Sequence, residues 1–217
     1  MNSMPDDREG FASFLLRMRA LGIDNRELFT AIEATPRRSF VPAQWQDAVW
    51  SEGMIPIECG ETLESIDLQA RAIAALAPAA GQRVLEIGTG SGYTAAILGK
   101  LTGRMLSVER FKTLADLAAR RLDALSLSNV VVRHGDGSKG MPADGPFDRI
   151  IVWSAFDAYP RAFVDMLSTG GVMVAPIGPA EGVQALVRLS KVGSRFERED
   201  IADVRLQPLV EGIAEVI

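Results

Sequence analysis

Three acidic residues and one glycine turn are the features of this chain whose types and spacing can do chemistry together. Gly88-Thr89-Gly90-Ser91-Gly92 stands between an apolar run and a helical run. Glycines in such a turn permit positive φ and let a ligand approach the backbone. The helix beyond offers unpaired N–H groups at its start. Glu86 lies two residues before Gly88, Glu109 nineteen residues after Gly90, and Asp136 within Gly135-Asp136-Gly137-Ser138. Each acid alone reads as a solvated loop residue or a helix cap. Spread over three successive strand positions beside the turn, they read as a binding set at the carboxyl ends of a sheet.

Two kinds of ligand compete for that set. Gly90-Ser91-Gly92-Tyr93-Thr94-Ala95 fits the dinucleotide pattern G-x-G-x-x-A. The pattern starts two residues late, however, and a carboxylate at Glu86 would repel a pyrophosphate. A cationic cofactor is attracted instead, and S-adenosylmethionine carries a sulfonium and an amino group with no phosphate. Glu109 then stands where a carboxylate accepts both ribose hydroxyls, and Asp136 where one accepts from the adenine amino group. A nicotinamide dehydrogenase stays as the other reading.

The elements that must position these residues follow from periodicity. A helix starts at Phe11, with Phe14, Leu15 and Met18 on one face, and closes at Gly22. Asp24 and Glu27 resemble a capping box for a helix over residues 28–34, which Pro36 ends. Residues 41–62 read as irregular, and 65–76 as helix. Strands are expected at 83–87, 105–108, 130–133, 149–153 and 172–176, with helices at 93–101, 111–125 and 163–167. The stretches 185–189, 196–204 and 212–217 read as β-rich. This alternation implies an α/β fold, a doubly wound and mostly parallel Rossmann-like sheet, with an N-terminal helical extension. One structural domain is expected, made of a flexible tail (1–10), the helical extension with a substrate loop (11–80), and an α/β core (81–217).

Composition bounds the alternatives. The 217 residues are 47% hydrophobic and 24% charged, with a net charge of −5. A single cysteine, Cys59, rules out an internal disulfide. With a single histidine, His134, it also rules out a Cys/His zinc cage. Mild acidity argues against nucleic acid as a partner. The acidic N-terminus lacks a signal-peptide pattern. The longest nearly apolar stretch, 73–80, is far short of the roughly 20 residues that span a bilayer. A cytoplasmic protein with no membrane partner is expected, and a monomer is favoured. Cys59 reads as a small, partly buried residue, His134 as a loop residue, and Arg120-Arg121 as a solvated face with Asp116 and Asp123.

The motifs in order carry a family resemblance. Arg37-Arg38-Ser39-Phe40-Val41-Pro42, Gly60-Glu61-Thr62-Leu63, residues 84–93 around the glycine turn, Val108-Glu109-Arg110, Gly135-Asp136-Gly137-Ser138, Phe147-Asp148 and the tail Val204-Arg205-Leu206-Gln207-Pro208-Leu209-Val210 resemble the protein-L-isoaspartate O-methyltransferase family. The resemblance implies methyl transfer from S-adenosylmethionine to the free carboxylate of isoaspartyl residues in damaged proteins. The methyl ester then collapses to a succinimide without the enzyme. It also implies that Glu86 and the turn (Gly88, Thr89, Gly90, Ser91, Gly92) hold the methionine part. Glu109, followed by Arg110, holds the ribose, and Asp136-Gly137 the adenine. The acceptor is a peptide or protein bearing a free carboxylate.

Departures from the family pattern mark the substrate side. Where the family reads Gly-Gln-Thr-Ile-Ser-x-Pro, this chain has Gly60-Glu61-Thr62-Leu63-Glu64-Ser65-Ile66. Where the family has the small residues Val-Thr-Ala-Ala, it has Val152-Trp153-Ser154-Ala155, followed by Phe156. Thr62, Glu64 and Ser65 are the candidate catalytic residues, the hydroxyls orienting an incoming carboxylate. Trp153, Ser154 and Phe156 are the candidate substrate-groove residues. Glu64 would repel a second carboxylate by roughly 1 to 4 kcal/mol unless it is protonated or neutralised by an arginine. It could instead cap the helix near Ser65. The alternatives are a methyltransferase of the same fold acting on another carboxylate or a small molecule, and a cofactor-binding descendant without isoaspartyl activity.

Overall fold

The computed structural model describes residues 7–214. Its frame is a seven-stranded sheet built from β3 (Arg83–Ile87), β4 (Arg104–Glu109), β5 (Val130–His134), β6 (Phe147–Val152), β7 (Leu167–Ile177), β8 (Gln184–Val192) and β9 (Arg195–Val204). Their order across the sheet is β5-β4-β3-β6-β7-β8-β9. The first five strands of this set run parallel, with Leu85 opposite Leu106 on one side and Ile150 on the other. The last two join antiparallel. The chain moves outward from β3 through β4 to β5, then returns to β6 on β3's other side. That reversal opens a crevice at the carboxyl ends of the strands, where α/β sheets bind ligands. The two strands beside the reversal, β3 and β6, are almost wholly buried, as apolar runs covered on both faces must be.

Helices cover both faces unevenly. α1 (Asp7–Ala20), α2 (Arg26–Glu33), α3 (Ile66–Leu76), α4 (Tyr93–Leu101) and α5 (Lys112–Ala124) share one apolar layer with Val84, Met105 and Ile151. α6 (Arg161–Asp165) packs Phe163 and Val164 on the other face, against Leu85, Leu106 and Ile150. Alternate residues of β3 therefore serve different layers, as the two-residue period of a strand requires. The N-terminal extension has no core of its own: Phe14 and Met18 of α1 are sealed in the same layer as α4. Acidic residues in the first turn of α1 and arginines in its last complement the helix dipole.

Several expectations need correction. Residues 7–10, expected in a loose tail, belong to α1, and 1–6 lie outside the described residues. The cap of α2 is Asn25, whose side chain accepts the Leu28 N–H at 3.0 Å, while Asp24 faces Arg19 instead. Asparagine one place later does the same job, so the capping box was one residue out of register. Within 41–62 there are 3₁₀ turns and a small antiparallel pair, β1 (Ile55–Pro56) with β2 (Thr62–Leu63). Leu167, expected at a helix end, starts β7. Residues 212–214 form no strand, and 215–217 lie outside the described residues. The substrate loop enters α3 through Ser65, whose Oγ accepts the Leu68 N–H at 3.2 Å. Replacing Ser65 with alanine is expected to lower stability by about 1 kcal/mol, read as the shift of the urea unfolding midpoint.

Candidate functional site

The glycine turn leaves β3 at Ile87 and enters α4 at Tyr93. Gly88, Gly90 and Gly92 have φ of 88°, 52° and 87°, values that other residues adopt only under strain. Space is short as well, since a Cβ on Gly92 would sit 2.9 Å from the Ala118 Cβ of α5. The turn is held from several sides. Gly90 N–H donates to Glu109 Oε2 at 2.9 Å, the Ser91 carbonyl accepts Arg121 Nη1 at 3.0 Å, and the Thr89 and Ser107 hydroxyls lie 2.5 Å apart. Arg121 was expected on a solvated face. It is turned inward, with Glu58 at 3.7 Å.

Beneath the turn lies Glu86, with no exposed surface. Its Oε2 accepts from Ser107 Oγ at 2.6 Å, and its Oε1 accepts from the Thr94 hydroxyl and from Trp153 Nε1, the latter at 3.0 Å. Burial pushes its carboxyl up to about 7, against the pull of those three donors. The structure thus puts Glu86 under the floor of the site, with both oxygens engaged by protein groups.

Two open clefts meet above the turn. The first, about 720 Å³, has Glu109 at its end and Val108, Phe111 and Leu114 as an apolar wall. Glu109 takes N–H donors from Gly90 and Phe111, each at 2.9 Å. Burial raises its carboxyl above the ordinary value, against backbone donors from Phe111, Gly90 and Arg110. Arg110 lines this cleft too, as do Gly135, Gly137 and Ser138. Gly137 packs so close to Ile87 that a Cβ would meet its side chain at 2.9 Å. Asp136 is turned aside from the lining and accepts the Ser138 N–H at 2.8 Å. Burial raises its pKa, but the Ser138 and Gly212 donors and Lys139 outweigh that and leave it below the usual carboxylate range.

The second cleft, about 830 Å³, is lined by Thr62, Glu64, Gln69, Thr94 and Arg205. Glu61, Thr62, Gly88, Gly90, Trp153, Ser154 and Gln207 line both clefts. Glu64 is thus brought to the second cleft, and burial pushes its carboxyl up to about 7 although Arg37 opposes the shift. Arg37 is itself only 2% exposed. It donates to the Glu64 carbonyl at 2.7 Å and to Gln69, and stacks 4.5 Å from the Tyr93 ring centre. Arg37 thus meets the Glu64 backbone rather than its carboxylate, and its charge acts on that carboxylate only through the field that opposes the rise.

Besides Glu86 and Asp136, the expected cofactor residues Ser91 and Gly92 line neither cleft, and two expected residues of the substrate side stand elsewhere. Ser65 spends its hydroxyl on the α3 cap and does not line either cleft. Phe156 packs edge-on against Phe163, ring centres 4.9 Å apart, on the far apolar layer. The bend at 153–154, after β6 ends, carries it away from Trp153 and Ser154. His134 is exposed, its Nε2 3.2 Å from the Arg110 carbonyl, and Cys59 is partly buried. The residues missed were Glu61, Phe111, Leu114 and the tail from Arg205 to Val210. The tail lies across the cleft mouth because Ala155 N–H donates to the Gln207 carbonyl and Leu209 N–H to the Ala155 carbonyl, at 2.8 and 2.9 Å. Its place in the quoted motif order was the available signal.

A family model described as Protein-L-isoaspartate(D-aspartate) O-methyltransferase (PCMT) matches residues 12–214. The chain belongs to this family. The protein-L-isoaspartate O-methyltransferase of Rhizobium meliloti (strain 1021) is 45% identical over 93% of this chain and 99% of its own. The enzyme of the same name from Azorhizobium caulinodans is 40% identical over the full length of both. Among solved structures, a protein-L-isoaspartate O-methyltransferase superposes with a TM-score of 0.78 at 23% identity, covering 94% of this chain and 67% of the other. A Plasmodium falciparum structure described as a beta-aspartate methyltransferase (PCMT), in complex with S-adenosyl-L-homocysteine, gives 0.75 at 21% identity over 91% and 97%. These two likenesses show the α/β methyltransferase fold with its N-terminal helices.

Glu64 and Glu86 give the methyltransferase a definite pH signature. Both carboxyls rise from an ordinary 4.5 to about 7 in the folded chain. The folded state therefore binds more protons than the unfolded one between those values, so stability falls as pH rises through the window. The melting temperature is expected to drop from about pH 5 to about pH 8. Glu64→Gln should flatten part of that slope, as followed by thermal unfolding across the series.

Proposed function

We propose that this chain transfers a methyl group from S-adenosylmethionine to the free carboxylate of L-isoaspartyl residues in damaged proteins, acting in the cytoplasm as a single chain. The observation that carries the reading is the pair of adjoining clefts that share Trp153, Thr62 and the glycine turn. One has the features a nucleoside with a cationic tail requires: an apolar slot, a carboxylate at Glu109 and a backbone open at Gly88 and Gly90. The other admits a peptide carboxylate beside Thr62 and Arg205. Family membership supports the same reading. Among the described residues no helix is long and apolar enough to cross a membrane.

The cofactor supplies a methyl group on a sulfonium, which is an excellent leaving group. The protein's task is alignment and exclusion of water. Phe111 and Leu114, which line the first cleft, would flank the base and Glu109 would receive the ribose hydroxyls, with the 205–210 tail lining the two clefts beside them. An acceptor carboxylate is already ionised at pH 7, so no side chain has to remove a proton from it. Thr62 Oγ1 and the Arg205 guanidinium orient its oxygens. Glu64 opposes it when charged and tolerates it when neutral, so the cleft favours a carboxylate more as pH falls through about 7. The same carboxylate at Glu64 favours, as a second reading, an acceptor that carries a cation near its methylated group.

The test is release of S-adenosylhomocysteine with and without an isoaspartyl peptide. Peptide-dependent release is expected, with KM falling from pH 8 to pH 6. Glu64→Ser should remove that pH dependence and raise kcat/KM at pH 8 by at least about fivefold, the low end of the repulsion between two nearby carboxylates. Arg205→Gln should raise KM for the peptide about tenfold, as loss of a charge-assisted hydrogen bond does, with kcat much less affected. No release with the peptide, alongside clear cofactor binding, would turn the reading toward the other acceptor.

A further inference from the structure

The amino end of the sheet, opposite the glycine turn, holds a second concentration of charge. β3 and β4 each begin with an arginine, Arg83 and Arg104, and the two are register partners in the parallel pair. Adjoining strands lie about 5 Å apart, so two like charges start side by side and repel. Strand alternation puts both on the face of Leu85 and Leu106, the face to which Val131 and Arg133 of β5 also belong. The connection from β5 to β6 holds a 3₁₀ turn, Pro142–Asp144, in place of a crossover helix. Val131 is left 50% exposed. With Asp144 and Phe147, these residues line a cleft of about 540 Å³.

One carboxylate serves three guanidinium groups there. Asp144 Oδ2 accepts from Arg133 Nη1 at 2.7 Å and Asp144 Oδ1 from Arg133 Nη2 at 3.0 Å, so both oxygens are taken by one fork. Those hydrogen bonds and the fields of Arg133 and Arg83 hold the Asp144 carboxyl below the usual carboxylate range, against a push from burial. Arg83 Nη2 donates to the Asp144 carbonyl at 2.5 Å, and its guanidinium lies 5.8 Å from the Phe147 ring centre. Arg104 makes no hydrogen bond or ion pair among the described residues. Three arginines against one aspartate leave two positive charges in excess, on a chain whose net charge is −5.

We propose that this cleft binds a phosphate monoester with an apolar body about the size of a nucleotide, at a site separate from the two clefts of methyl transfer. A phosphate monoester carries about 1.5 to 2 negative charges at pH 7, which matches the excess. Guanidinium groups meet phosphate oxygens through paired N–H donors. Asp144 holds Arg83 and Arg133 in place beforehand, and Arg104 is left to take the anion. A bare phosphate would leave most of the cleft empty, and its floor is apolar: Leu106, Val131 and Phe147. A few charged groups above an apolar floor are the usual make-up of a small-molecule site. Because β3 runs from Arg83 at this end to the glycine turn at the other, binding here and methyl transfer can be read separately.

The experiment is calorimetric titration of the whole chain with uridine monophosphate, with uridine and with inorganic phosphate. The monophosphate is expected to bind more tightly than either of the others, and less tightly as salt rises. Arg104→Gln is expected to weaken it about tenfold, as loss of a charge-assisted hydrogen bond does. Val131→Glu should weaken it at least as much, by setting a carboxylate on the floor. Both residues are exposed, so the fold tolerates either change, as thermal unfolding will check. Methyl transfer to an isoaspartyl peptide should proceed as in the wild type. No heat with the monophosphate, equally tight binding of uridine, or an affinity unchanged in both variants overturns the proposal. So does inorganic phosphate binding as tightly as the monophosphate, since the apolar floor would then contribute nothing.

Discussion

A carboxylate taken wholly out of water is unstable unless donors surround it. This is the constraint that orders the cofactor side of the molecule. Glu86 sits in the central strand β3 with no exposed surface, and its donors come from three separate pieces of chain: Ser107 on β4, Thr94 on α4 and Trp153 just beyond β6. Satisfying one residue therefore fixes the spacing of adjacent strands, the start of the helix after the glycine turn, and the wall between the clefts. The Thr89 hydroxyl on Ser107 extends the network into the turn itself. A hydrogen-bond network of this kind is cooperative, so its members hold one another in place.

A buried cation plays the matching part on the acceptor side. Arg37 is nearly sealed, and its acceptors are the Glu64 carbonyl and the Gln69 side chain. Those contacts join the N-terminal extension to the loop before α3, while the guanidinium stacks on Tyr93 at the start of α4. The extension is thereby part of the site rather than an appendage. Its helices share a single apolar layer with the core, and its buried arginine positions the backbone that carries Glu64 into the second cleft.

Much of this was legible in the sequence. The strand, glycine turn and helix at 83–101 are punctuated locally, because glycines with positive φ and a following apolar run leave few other conformations. The acid at the end of β4 could be placed for the same reason. What escaped is what tertiary packing decides. Arg37 and Arg121 sit in charged stretches that default to solvent, and only the convergence of distant segments turns them inward. Ser65 has the residue type of an orienting hydroxyl and of a helix cap, and the start of α3 claims it first. Phe156 follows Trp153 by three residues, and the bend after β6 sends the two rings to opposite layers. Glu61 is quoted in the motif but given no site role, because only the folded chain shows that it lines both clefts.

The outer strand β9 has a consequence for the company this protein keeps. A free sheet edge is a template on which any extended chain can add a strand. β9 is ten residues long, and its exposed stretch reads Glu197-Arg198-Glu199-Asp200 between Phe196 and Ile201. Arg198 and Asp200 pair along the strand itself, and Glu199 reaches Arg188 on β8. Consecutive charged side chains of this kind make lateral pairing with a foreign backbone costly. A member of a family that acts on isoaspartyl proteins thereby presents them with a sheet edge that resists strand addition.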